Sequence, residues 1–326
     1  MATIRFVGED AVRRVLTPAR ALAVVVEEIY RDYGRGAGLG LSDPPALFAG
    51  SGRPGEAALK VKGATLAERH LTGFRLISDL PVGDRLETSD LCLLYDNRTG
   101  KPIGLVDEAW LSTFRTAVTG VVAAKHLARP DSRVAAVIGA GAIANELFPA
   151  LSETFALDEV RVVARRRASA ERFAAAHDGR WGPRFRAVDE AADAVAGADI
   201  VVTLTFAEAP LIHPGMLAPG AFLCSMGETE EVAYEVLGEV DRFVVDDLDY
   251  ATRLGDIAYW LKRPEVSRAD LEARLDADIG EVVAGAKPGR RDAGERILAI
   301  IQGMAVCDLA LAAAALDEAE GGSFTI

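Results

Sequence analysis

The chain has 326 residues, half of them hydrophobic, three cysteines and a formal net charge of −13 at pH 7. Its length exceeds what a single core usually organises, so two domains are expected. The acidic balance, with a pI near 4.9, supplies no electrostatic footprint for nucleic acid or an anionic membrane surface, which leaves small molecules as the expected partners.

The opening MATIRFVGEDAVRRVL scatters charge through its apolar positions, and no uncharged apolar stretch reaches membrane-spanning length, so the protein is expected to be soluble and unexported. Residues 18–33 have helical spacing, with Pro18 in the first turn and Gly34 where a C-terminal cap belongs. After a Gly-, Pro- and Ser-rich stretch to Gly55, the runs LKVKGATL, LTGFRLISDL and LCLLYDNRTGKPIGLVD alternate like antiparallel strands, with a hairpin turn at residues 96–102. Residues 112–127 read as a helix that Arg129-Pro130-Asp131 breaks.

Next comes RVAAVIGAGAIA, an apolar β-run ending in a GxGxxA turn at Gly139, Gly141 and Ala144, then a helical pattern. The first glycine permits a tight strand-to-helix turn and the second lets backbone amides approach a pyrophosphate. The small third residue packs helix on strand. With the partial positive charge of the helix N-terminus, this is a dinucleotide-binding arrangement in which Gly139, Gly141 and Ala142 cradle the pyrophosphate. Strands are expected at residues 133–139, 159–164, 199–205, 221–226 and 242–246, mostly separated by helices. Runs such as ADIVVTLTF look like strands buried on both faces, so the fold class is α/β, a Rossmann-type doubly wound parallel sheet joined to an α+β domain. Thr205, at the end of one such strand, falls at the ligand edge. From Ile297 a long apolar helix containing Gly303 is expected, and the closing GGSFTI reads as a loose tail.

These residues resemble the ornithine cyclodeaminase/mu-crystallin family. The resemblance rests on Arg115-Thr116-Ala117 at a helix start, the Gly139-Ala140-Gly141 turn, and a G-x-A-x-x-D helix from Gly303 to Asp308, and extends from about residue 57 onward. It implies a substrate-binding and dimerisation domain at 1–112 with 303–326, and a nicotinamide dinucleotide domain at 113–302. It further implies a homodimer, and a substrate carboxylate bound by Lys60 and Arg115. Arginine offers a planar bidentate fork and lysine a movable point charge, a pairing suited to fixing a carboxylate. Lys60 and Lys62 straddle one residue and point to the same face of a strand. Glu228 stands where ornithine cyclodeaminase has an aspartate and is the expected acid/base, with Glu230 and Glu231 close enough to shift that match. Where relatives often carry a basic residue, this chain has Ala46, and Arg75 is the candidate to replace the lost carboxylate contact.

Cofactor choice is read at the end of the second strand of the dinucleotide domain, where an acidic residue would bond the ribose of NAD. Arg165, Arg166 and Arg167 stand there instead, and in so acidic a chain they favour NADP(H), with NAD(H) the alternative. The cysteines are far apart and lack metal spacing, so they read as reduced, buried thiols of a cytoplasmic protein. His70, His126, His177 and His213 form no site, and no metal cluster is expected. The resulting expectation is an NAD(P)H-dependent oxidoreductase interconverting a small imino or keto acid with its amino acid. Two alternatives accompany it: a redox-neutral cyclodeaminase that releases ammonia, and a non-catalytic mu-crystallin-like ligand-binding protein.

Overall fold

The computed structural model describes residues 3–325 except 17–18, 37–38, 52, 54 and 83–84. It divides into two units: one is the chain up to Thr116 and again from Met304, the other Ala117–Gly303. Among the described residues no helix is long and apolar enough to cross a membrane.

The first unit opens with β1 (Thr3–Val7), α1 (Glu9–Val15) and α2 (Ala19–Gly34). Short β2 (Leu39–Leu41) and β3 (Leu47–Ala49) lead into the long β4 (Ala58–Leu66), β5 (Leu71–Val82), β6 (Arg85–Asp96) and β7 (Lys101–Asp107). Then α3 (Ala109–Leu127) begins, belonging to this unit up to Thr116. The β6–β7 turn closes through Gly100 at φ 66, and Pro18 lies outside the described residues. Gly34 continues α2 rather than capping it, and the left-handed position falls at Gly36, φ 66.

Along β4 and β5 the usual amphipathic pattern is inverted. Lys60, Lys62 and Arg75 are buried, whereas Leu59, Phe74 and Leu76 on the other face are exposed. Buried cations need partners or a ligand, so the inward face is a site as well as a core.

The second unit starts with β8 (Val134–Ile138), α4 (Ala142–Thr154), β9 (Glu159–Val163), α5 (Arg167–His177) and β10 (Arg184–Ala187). It continues with α6 (Ala191–Val195), β11 (Ile200–Thr203), β12 (Phe222–Ser225) and β13 (Arg242–Val245). After α7 (Leu248–Ala251), α8 (Gly255–Trp260), α9 (Arg268–Arg274), β14 (Ala277–Asp278) and α10 (Ile279–Val283), it ends on β15 (Ile297–Ile300). The strands are all parallel, in the order β10-β9-β8-β11-β12-β15-β13-β14. The chain winds outward from β8 through β9 and β10, then resumes at β11 on the other side. That reversal makes the carboxyl ends of β8 and β11 the switch point where ligands of doubly wound sheets bind.

Two expectations are corrected at the C-terminal end. The run from Ile297 is not one helix: Ile297–Ile300 is a buried strand between β12 and β13, Gly303 turns at φ 83, and α11 spans Ala305–Glu318. A short apolar run with both faces covered has no periodicity to tell strand from helix. Nor is the tail loose, because β16 (Gly322–Thr325) pairs antiparallel with β1. Its residues are exposed, so backbone hydrogen bonds rather than an apolar pattern hold it.

Candidate functional site

In the first unit, register assembles a charged cluster. Lys62, Arg75 and Cys92 are successive Cα partners across β4, β5 and β6, and Lys60, Ile77 and Asp90 form the parallel row two residues away. Both rows face inward because side chains two apart share a face. Glu108, just after β7, Ser112 and Arg115 on α3, and Asp308 in the first turn of α11 complete the set. Arg75 donates from Nε to Glu108 (2.8 Å) and from Nη2 to Ser112 Oγ (2.8 Å), and its Nη1 lies 3.3 Å from Asp308. Arg115 Nε donates to Asp308 at 2.6 Å, while Arg115 Nη1 is buried without a hydrogen-bond partner among the described residues.

Burial dominates the protonation of this cluster. It lowers Lys62 to about 7, with Asp308 opposing and Arg115, Arg75 and Lys60 reinforcing the shift. Burial likewise raises Asp90 to about 6 and Glu108 to about 7, against the pull of Arg75. For Arg75 the balance reverses: burial disfavours its charge, but Asp308 and Glu108 outweigh that and raise its pKa.

Lys60, Arg75 and Arg115 are therefore brought together, with Arg75 tied to the protein's own carboxylates. Lys62, Glu108 and Asp90 had no assigned role in the sequence reading. Their signal was the pairing of inward cations with outward Leu59, Phe74 and Leu76, which becomes visible only with the strand register. Ala46 is buried.

In the second unit, the GxGxxA turn lies at the end of β8. Gly139 has φ 118, and a Cβ there would stand 2.4 Å from the Leu204 carbonyl oxygen, so only glycine fits. Around Gly141, by contrast, a Cβ would meet nothing within 4 Å, and Gly141 and Ala142 are exposed. Gly141 is the N-cap of α4, with no side-chain cap and no acidic residue in the first turn, so the helix amides face an open space suited to a pyrophosphate. Arg165, Arg166 and Arg167 follow β9 and are exposed, and Arg167 pairs with Glu171 (2.9 Å) and Asp189 (2.6 Å).

The three glutamates after β12 differ sharply. Glu228 is exposed and Glu230 pairs with Arg263, whereas Glu231 is fully buried. The Glu231 carboxylate accepts from Thr203 Oγ1 (2.7 Å), Thr205 N (2.5 Å) and Oγ1 (2.6 Å), and Gly227 N (2.8 Å). It latches the ends of β11 and β12 together and fixes Thr205. Asp256 on α8 supports the latch, accepting from Ser225 Oγ (2.5 Å) and from the amides of Glu231 and Val232. Burial raises Asp256 to about 7.

His177 accepts at Nδ1 from the Trp181 indole (3.2 Å), which leaves the proton on Nε2 to bond Asn145 Oδ1 (2.8 Å), a structural role. All three cysteines are buried, and none forms a disulfide bond. Among the described residues no group of His, Cys, Asp or Glu is placed to hold a metal ion.

The sequence profile of the ornithine cyclodeaminase/mu-crystallin family matches residues 9–323. The chain is 30% identical over 260 residues to N-((2S)-2-amino-2-carboxyethyl)-L-glutamate dehydrogenase of Staphylococcus aureus, covering 75% of this chain and 74% of that protein. With ketimine reductase mu-crystallin of Mus musculus it shares 31% identity over 234 residues, or 71% and 69% of the two chains. Its structure superposes on an archaeal alanine dehydrogenase dimer with bound NAD at a TM-score of 0.89 and 25% identity, covering 99% of each chain.

Proposed function

This chain belongs to the ornithine cyclodeaminase/mu-crystallin family, and from that premise we propose that it is a nicotinamide-dependent oxidoreductase of C–N bonds, interconverting a small imino or keto acid and its amino acid. The observation that carries the reading is the buried pair Lys60 and Arg115 on the first unit, with Arg115 Nη1 lacking an acceptor among the described residues. A buried guanidinium nitrogen without an acceptor is costly unless a ligand supplies one, and a carboxylate matches its fork. Lys60 adds the second contact, while Arg75 holds the clamp in place through Asp308, which it shares with Arg115.

On the second unit, Gly139, Gly141 and Ala142 with the α4 amides hold the pyrophosphate, and Thr205 is fixed by Glu231 at the same sheet edge. Bound nicotinamide supplies or accepts the hydride at the substrate α-carbon. Glu228 is the exposed carboxylate at that edge for proton exchange with water. Arg165 and Arg166 favour the 2′-phosphorylated cofactor; in Arg165→Ala the KM for NADPH should rise at least about tenfold with that for NADH unchanged. An unaltered ratio of the two constants removes this assignment.

A homodimer is part of the proposal. Leu59, Phe74 and Leu76 are each more than two-fifths exposed on one sheet face, an apolar patch suited to a second copy. The test of the function is an absorbance assay with NADPH or NADH, ammonia or methylamine, and a panel of keto and cyclic imino acids. Stoichiometric cofactor oxidation supports the proposal. Ammonia release from ornithine without net cofactor change would assign a cyclodeaminase, and ligand binding without turnover a binding protein.

A further inference from the structure

With Lys60 and Arg115 on the carboxylate and Arg75 held by Glu108, Asp308 and Ser112, one buried cation of the cluster has no assigned task. Lys62 is 3% exposed, lies two residues from Lys60 on the same face of β4, and is the Cα partner of Arg75. Of the charged groups that act most strongly on it, Asp308 (α11) attracts an ammonium, whereas Arg115 (α3), Arg75 (β5) and Lys60 (β4) repel one. Beyond Arg75 stand Asp90 and Cys92 on β6 and Glu108 after β7. A permanent structural charge is poorly served by such surroundings, where an apolar side chain of the same length would pack at lower cost. An amine that gains and loses its proton is well served by them.

We propose that Lys62 is the catalytic acid that protonates the substrate nitrogen during imine reduction and accepts that proton in the reverse direction. The inference rests on the function proposed above. The nitrogen is bonded to the carbon that bears the carboxylate, so a carboxylate held by Lys60 and Arg115 brings it toward the next inward side chain along the strand. Hydride adds to the α-carbon, the C=N π pair moves to nitrogen, and nitrogen takes the proton from the Lys62 ammonium. The reduced nicotinamide is the reductant, and Lys62, left as a neutral amine, regains a proton from water. In this role it takes precedence over Glu228, which is solvent-exposed.

The test compares wild type with Lys62→Arg, Lys62→Met and Glu228→Gln on Δ1-pyrroline-2-carboxylate, a cyclic imine that needs no added amine. Lys62→Arg keeps the charge but cannot release a proton, so kcat should fall about 100-fold with KM within about threefold. Glu228→Gln, which touches only the exchange of protons with water, should lose less kcat than Lys62→Arg. Wild-type kcat should decline above about pH 7 by roughly tenfold per pH unit, and ethylamine should restore part of the turnover of Lys62→Met. A Lys62→Arg enzyme with kcat within threefold of wild type, or a tenfold larger loss in Glu228→Gln, overturns the proposal.

A second readout does not depend on turnover. Calorimetric titration of wild type with pyruvate at pH 8, in two buffers of different ionisation enthalpy, should show proton uptake as the arriving carboxylate favours the ammonium; Lys62→Met should show none. If Lys62→Arg does not fold, the wild-type pH profile and this titration decide. An enzyme inert toward the whole substrate panel sinks the oxidoreductase reading, whereas absent proton uptake sinks Lys62 alone.

Discussion

In the proposed site, Arg115 is the side chain on which substrate affinity would turn. Replacing it with alanine removes the planar fork and leaves Asp308 a buried carboxylate short of one partner. The expected outcome is a loss of kcat/KM of at least about 100-fold, with nucleotide affinity unchanged because the GxGxxA turn belongs to the other unit. Steady-state kinetics beside a nucleotide fluorescence titration check it. Asp256 gives a prediction of stability against pH. Its pKa rises from 3.8 unfolded to about 7 folded, so the native state holds a proton that the unfolded chain has released. The folded protein therefore loses stability as pH rises from about 4 to 7, and the effect levels off above that. In Asp256→Asn this component should vanish, so that the Tm of the variant relative to wild type rises steadily from about pH 4 to about pH 7 and then levels off. Parallel Tm profiles for the two proteins contradict the assignment.

Gly139 governs the β8–α4 element. Alanine there would have to adopt φ 118 and place its methyl 2.4 Å from the Leu204 carbonyl oxygen, so the turn must open. Gly139→Ala should weaken nucleotide binding at least tenfold, a change of about 1.4 kcal/mol or more, whereas Gly141→Ala, with open space around its Cβ, should cost much less. Equal losses in the two variants would argue against the turn geometry. This element was legible in the sequence because strand, glycine turn and helix each carry a local signal. Strand β15 was not legible, since four apolar residues buried on both faces carry no period. Edge strand β16 was missed for the opposite reason: its residues are exposed and its stability lies in backbone pairing. At the site, Lys60, Arg75 and Arg115 could be picked from sequence, but that Glu108 and Asp308 hold Arg75 is set by long-range register. Likewise Glu230 and Glu231 sit side by side in the chain, and only the fold makes one a surface ion pair and the other a saturated, buried latch.

For the whole molecule, the inverted pattern of β4 and β5 would link the proposed site to the proposed dimer. The same alternation that turns Lys60, Lys62 and Arg75 inward turns Leu59, Phe74 and Leu76 outward, so a one-residue slip would abolish both at once. Phe74→Asp should convert a dimer to a monomer, read by sedimentation velocity; an unchanged sedimentation coefficient would move the interface elsewhere. The discontinuous make-up of the first unit also bears on the order of synthesis. Asp308, the acceptor shared by Arg75 and Arg115, emerges from the ribosome nearly two hundred residues after Arg115. Until then those guanidinium groups lack their common counter-ion, while every strand of the nucleotide-binding sheet has already been made. On a nascent chain, dinucleotide affinity should therefore precede carboxylate affinity.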